Sequence, residues 1–265
     1  SASYRTLVNV ENIEELFSLA SAEDDVTLSQ IIPIAIAATL DYSYTQGSIP
    51  ILTVPMECKI QDGWKQPFPL VDPTNGSVSQ YEQMSLYDFA ALVLSGKIAD
   101  RRTTSKDTVV TFNYDTILDD AFRKLDIPYD YGFSDDTAEY WEMTRPCYNQ
   151  ERYVQLLKLH GSVNWGTPKK ENDKIRIYES YERIRGNNYI PLLLPPTWRK
   201  VFAGGLTEIW QKAVTAISNA TRICLIGFSI PTTDIHFKYL LSAGLRQNIS
   251  LRQIDVIDIN TESVK

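Results

Sequence analysis

The chain of 265 residues is 43% apolar and 22% charged, a globular composition that excludes a disordered or low-complexity protein. Its formal net charge of -7 argues against binding a phosphate backbone through bulk positive charge, which requires clustered Lys and Arg. The basic pairs Arg101-Arg102 and Lys169-Lys170 read as solvated loops, so no direct nucleic-acid binding is expected.

In chain order, NIEELFSLAS (12–21) and the segment 27–40 show helical periodicity, with Pro33 near the start of the second helix. Within that second segment, IIPIAIAATL reads as a buried helix; no window reaches the ~18 apolar residues of a membrane span. Residues 46–80 are rich in Pro and Gly and fit short strands or a long loop equally well. The segment 81–99 is again helical in pattern. Residues 1–100 therefore read as a mainly helical subdomain packed on a core at 101–265.

That core opens with the strand DTVVTFN, which runs into a helix, TILDDAFRKL, that Asp115 or Thr116 can cap. Residues 126–150 carry Tyr129, Tyr131, Phe133, Tyr140 and Trp141 among acids without a clear period. They read as an irregular insertion, either a lid or pocket wall or a packed surface loop. Within QLLKLHGSVNW (155–165) an apolar strand then ends in His-Gly-Ser, and IPLLLPPT (190–197) is a strand stopped by two prolines. TEIWQKAVTAISNA (207–220) places Ile209, Trp210, Ala213, Val214 and Ile217 along one helical stripe. RICLIG is a strand, IHFKYLLSAGLRQ a helix and QIDVIDIN a strand. This alternation predicts an α/β fold: a Rossmann-like parallel sheet flanked by helices, with an N-terminal mainly helical layer.

The three cysteines, Cys58, Cys147 and Cys224, give neither a disulfide framework nor a paired zinc motif, and no metal is expected. Cys224, inside RICLIG, reads as a small core residue. No basic segment followed by an apolar run opens the chain, so a cytoplasmic protein without membrane contact is expected.

Four strands end in polar groups: Asn113/Asp115, His160/Gly161, Gly227/Ser229 and Asp258/Asn260. Ligands of open α/β sheets bind beyond the carboxyl ends of the strands, so a shared cleft is expected there.

The blocks TFNYD, LHGSVNW, IGFSIPTTD and VIDIN follow one another over about residues 107–260. In that order they resemble the core of the sirtuin-like superfamily. The nearer likeness is to its bacterial members that lack a zinc ribbon and hydrolyse NAD, often in antiviral defence. The resemblance implies NAD glycohydrolase activity, with NAD as substrate or ligand and no cofactor required. It implies that Asn113 faces the nicotinamide ribose, that Asp115 meets the nicotinamide amide end, and that His160 contacts ribose hydroxyls and handles a proton. Thr111, Phe112, Gly161, Gly227, Ser229, Asp258 and Asn260 become nucleotide-binding candidates. NAD or ADP-ribose are the expected partners, and a homo-oligomer, an additional domain or a defence partner is compatible with the family.

Two departures matter. The four-Cys ribbon of the protein deacylases is missing, and Phe112 stands where they have Gln, which argues against lysine deacylation. The family's first strand ends in a glycine-rich loop that cradles the pyrophosphate, whereas the first glycine here is Gly47. A G-x-G-type turn is therefore expected in residues preceding Ser1.

The groups themselves suit this chemistry. Cleaving the nicotinamide–ribose bond passes through an oxocarbenium-like state, which needs orientation, a water and negative character nearby. Asn113 can hold a water through its amide oxygen, Asp115 can favour the developing cation, and His160 can take a proton. Each has a plainer reading: turn residue, helix cap and strand-end histidine respectively. His236, inside IHFKYLL, reads as a helix packing residue. Two other functions stay open: a sensor that binds NAD or ADP-ribose without cleaving it, and an inert assembly domain whose cleft is filled by side chains such as Trp165.

Overall fold

A computed structural model of the chain describes residues 26–49, 51–55, 81–96, 107–148, 150–170, 173–194, 205–227 and 235–257. The helix expected at 12–21, Cys58, Trp198, Ser229, Asp258 and Asn260 lie outside the described residues. The chain divides into two compact units, Ser1–Phe202 and Ala203–Lys265. Among the described residues the architecture is α/β, with parallel strands flanked by helices.

In the first unit, α1 (Val26–Gln46) is longer than its periodicity suggests, and Pro33 lies inside it rather than at its start. Nor is this helix buried all round. Pro33 and Ala37 turn inward, while Ile31, Ile34 and Tyr42 are exposed. The small Ala37 side chain lets α1 approach a cluster of Val163, Tyr178, Tyr181, Ile184 and Leu193. The helix expected over 81–99 begins late. β1 (Ile51–Pro55) pairs antiparallel with β2 (Tyr81–Ser85), and only then does α2 (Leu86–Leu94) start. Ser85 makes the switch, because its hydroxyl accepts the Asp88 N–H at 3.0 Å and caps the new helix.

β3 (Thr108–Thr111) leads through a short loop to α3 (Ile117–Lys124). β4 (Tyr129–Asp130) and β5 (Ala138–Tyr140) follow within the segment that looked irregular. Tyr129, Tyr131 and Phe133 are buried there, so this stretch is packed. β6 (Val154–Lys158) lies between β3 and β4, parallel to both, in the sheet order β3-β6-β4.

The apolar strand expected to end in His-Gly-Ser does end there, as β6, and a further strand in a different sheet follows it. After β6 the chain breaks at Leu159 and His160 and resumes as β7 (Gly161–Gly166). Gly161 permits the break: its φ is +88°, a conformation that side chains other than hydrogen rarely adopt. β7 joins β8 (Ile175–Ile177) and β9 (Pro191–Leu193), antiparallel to each, and β5 completes a sheet of order β5-β8-β7-β9. Between β8 and β9 lies the short helix α4 (Tyr181–Gly186). Trp165 of β7 is fully buried, meeting the rings of Tyr131 and Phe133 edge-on with centroids 5.0 and 4.8 Å away.

The second unit holds α5 (Leu206–Asn219), β10 (Arg222–Ile226), α6 (Ile235–Leu245) and β11 (Gln253–Ile257). α5 buries Leu206, Ile209, Ala213 and Ile217, one side of the expected stripe. β10 and β11 pair in parallel, Ile226 opposite Ile257. Cys224, expected in the core, is exposed, because alternate β10 residues of this two-stranded sheet face solvent. His236 on α6 lies 6.3 Å from the Trp210 ring, edge to face, as a packing residue would. No helix among the described residues is long and apolar enough to cross a membrane.

Candidate functional site

β3 and β6 run in parallel with Thr111 opposite Lys158, so the segments that follow leave the sheet side by side. Asn113 and His160 each lie two residues beyond that pair. Asn113 is exposed, and its backbone N–H donates to Thr111 Oγ1 at 3.1 Å. His160 is only 6% exposed. Its ring meets Phe112 edge-on at 5.0 Å between centroids and lies 6.2 Å from the ring of Tyr114. The fold therefore brings Thr111, Phe112 and Asn113 together with His160 and Gly161.

Backbone bonds hold these two segments. The Leu159 N–H donates to Thr111 O at 2.9 Å, and the Val163 N–H donates to Tyr114 O at 3.0 Å. The Leu194 N–H donates to His160 O at 2.7 Å, while the Tyr114 hydroxyl returns to Leu194 O at 2.5 Å. Gly161 fits against β9 so closely that a Cβ there would sit 1.9 Å from Leu192 O.

Asp115 does cap α3. Its Oδ1 accepts the Ile117 N–H at 3.1 Å, whereas Thr116 offers no side-chain cap. Burial first, and then the charge of Asp115, holds the Tyr87 hydroxyl above the usual tyrosine range. Tyr44, in the last turn of α1, is pushed up to about 12 by burial and then by Asp120.

Beneath these residues lies a polar ring that sequence reasoning missed. Lys158 is buried, and its Nζ donates to Asp115 O at 2.5 Å and to Ser162 Oγ at 2.8 Å. The same ammonium lies 3.0 Å from Asp119 Oδ2, which makes no directed hydrogen bond and is met as an ion pair. The Tyr131 hydroxyl donates to the other Asp119 oxygen. Asn164 Nδ2 donates to Tyr131 Oη at 3.2 Å and to Tyr178 O at 2.9 Å, and the Ser162 hydroxyl donates to Asn164 Oδ1 at 2.6 Å. A signal was present in the sequence: Lys158 is a lone charge inside QLLKLH.

Gly227 belongs to the second unit. Its φ is +60°, its N–H donates to Ile257 O at 2.8 Å, and among the described residues beyond its chain neighbours no atom lies within 4 Å of where a Cβ would stand. Among the described residues no cluster of three or more His, Cys, Asp or Glu is placed to hold a metal ion.

A family model described as a SIR2-like domain matches residues 107–254, more than half of the chain. The chain belongs to the SIR2-like family. The matched span runs from the start of the β3 segment into β11 and includes Asn113, Asp115, His160 and Gly227. Membership of the SIR2-like family is consistent with an NAD-related function. A comparison with curated proteins gives no match.

Proposed function

We infer that this SIR2-like chain is an NAD glycohydrolase, converting NAD and water to nicotinamide, ADP-ribose and a proton. The observation that carries the reading is the juxtaposition of Asn113 and His160 at the carboxyl ends of adjacent parallel strands, inside the SIR2-like match. In this reading Asn113, exposed on its loop, holds the attacking water through its amide oxygen. His160, packed against Phe112, accepts a proton from that water or from a ribose hydroxyl. The remaining carboxylate oxygen of Asp115 faces the leaving nicotinamide. A role in antiviral defence would follow from NAD depletion and is part of the same proposal.

The test is direct. The full-length protein is incubated with NAD and free nicotinamide is followed; release is expected, and its absence in every oligomeric form refutes the reading. His160→Ala should lower turnover by about 10²-fold or more while weakening NAD binding far less. One observation favours a second reading, a sensor that binds NAD or ADP-ribose without cleaving it: the Asp115 carboxylate is already engaged in capping α3. Calorimetric binding without nicotinamide release would select that reading.

A further inference from the structure

We propose that Lys158 and Asp119 form a positioning pair that fixes the loop bearing Asn113 and Asp115 against the strand end bearing His160. Lys158 meets three segments through one ammonium, two by hydrogen bonds and one as an ion pair. The first reaches Asp115 O at 2.5 Å, in the loop before α3. The second reaches Ser162 Oγ at 2.8 Å, on β7. The third contact is the ion pair with Asp119 Oδ2, 3.0 Å away on α3. Lys158 is itself two residues before His160 on the same chain segment. One buried group thus ties both halves of the candidate site to a common point.

The rest of the ring limits how far that point can move. Asp119 is fixed by the Tyr131 hydroxyl, Tyr131 by Asn164, and Asn164 by Ser162 and Tyr178 O. The path returns through Ser162 to Lys158. Both charges are buried, with side chains 2% and 0% exposed, so solvent cannot replace either partner. A pair kept for stability alone would not need a donor on the carbonyl of Asp115. That contact acts on the backbone two residues from Asn113.

For its catalytic arm the proposal rests on the hydrolase reading, so the test has a second arm that does not. The double variant Lys158→Met/Asp119→Leu removes both charges together, because removing one alone would strand the other. Lys158→Gln/Asp119→Asn, closer in size and polarity, serves as a second folded comparison. In each, kcat for NAD should fall about 10²-fold with KM changed less than about threefold, the signature of misplaced rather than missing groups. Amide hydrogen exchange of the protein without nucleotide is the second arm. Exchange at Ile117 and Val163, whose N–H groups bond to Asp115 Oδ1 and Tyr114 O, should rise about tenfold, with Leu156 and Leu157 unchanged. If the native chain releases no nicotinamide, the hydrolase reading fails while exchange alone still decides the positioning claim. Native exchange at Ile117 and Val163 in a folded variant overturns the proposal. So does an equal rise across β6, or failure of both variants to fold, since the pair would then hold the sheet and not the loop.

Discussion

Replacing Gly161 by alanine puts one methyl group at the point where β7 leaves the His160 turn. Two costs arise there, and the structure separates them. The backbone at φ +88° is strained for any residue with a Cβ, a cost of about 1–2 kcal/mol. The Cβ would also lie 1.9 Å from Leu192 O and 2.9 Å from Leu192 C, against backbone that cannot swing aside as a side chain would. Ordinary contact needs about 3.5 Å, so β9 must retreat by roughly 1.5 Å. That displacement breaks the 2.7 Å bond from the Leu194 N–H to His160 O and loosens the Gly161–Leu193 pairing. At about 1 kcal/mol for the hydrogen bond lost, the total is about 2–3 kcal/mol, an appreciable share of a typical domain's stability. Gly227→Ala is the control, because Gly227 has a φ of +60° but no other described residue beyond its chain neighbours within 4 Å of its Cβ position. It should cost only the strain, about 1–2 kcal/mol. Urea titrations followed by circular dichroism and tryptophan fluorescence measure both, with Trp165 reporting on the first unit and Trp210 on the second. If Gly161→Ala loses no more stability than Gly227→Ala, the close approach of β9 does not govern this turn and the reasoning is wrong.

Gly186, the last residue of α4, has no atom within 4 Å of its Cβ position and an ordinary backbone, so Gly186→Ala should stabilise by about 0.5–1 kcal/mol in the same titration; a loss of stability would show that the last turn of α4 needs glycine. The buried phenols predict alkaline lability. Burial, followed by the charge of Asp119 for Tyr129 and Tyr131 and of Asp130 for Tyr140, raises all three above the usual tyrosine value. Below about pH 10 both folded and unfolded chains keep these protons; above it only the unfolded chain releases them, so stability falls as pH rises. Tyrosinate absorbance for these three should appear only with unfolding, and full titration of all 15 tyrosines in a chain still folded by circular dichroism would contradict this.

What the sequence determined was the α/β class and the places where strands give way to polar residues. Apolar runs such as DTVVT and RICLI are local signals, set by side-chain chemistry and period, and they became β3 and β10. Asn113 and His160 were legible for the same reason, since each follows an apolar run that a strand must end. The family blocks added the expectation of NAD chemistry, and the SIR2-like match covers most of the span they occupy. Tertiary structure alone decided the rest. Tyr81–Ser85 became a strand because Ile51–Pro55 offered it a partner, an interaction that helical spacing cannot register. Gly161–Gly166 became a second strand, β7, because β8 and β9 offered it partners from farther along the chain. Asp119 sits beside Asp120 with nothing in the helical run to mark it, and it is fully buried. Its partner, Lys158, is 39 positions away by number (158 − 119), and burying either charge is tolerable only when the fold has brought the other to it.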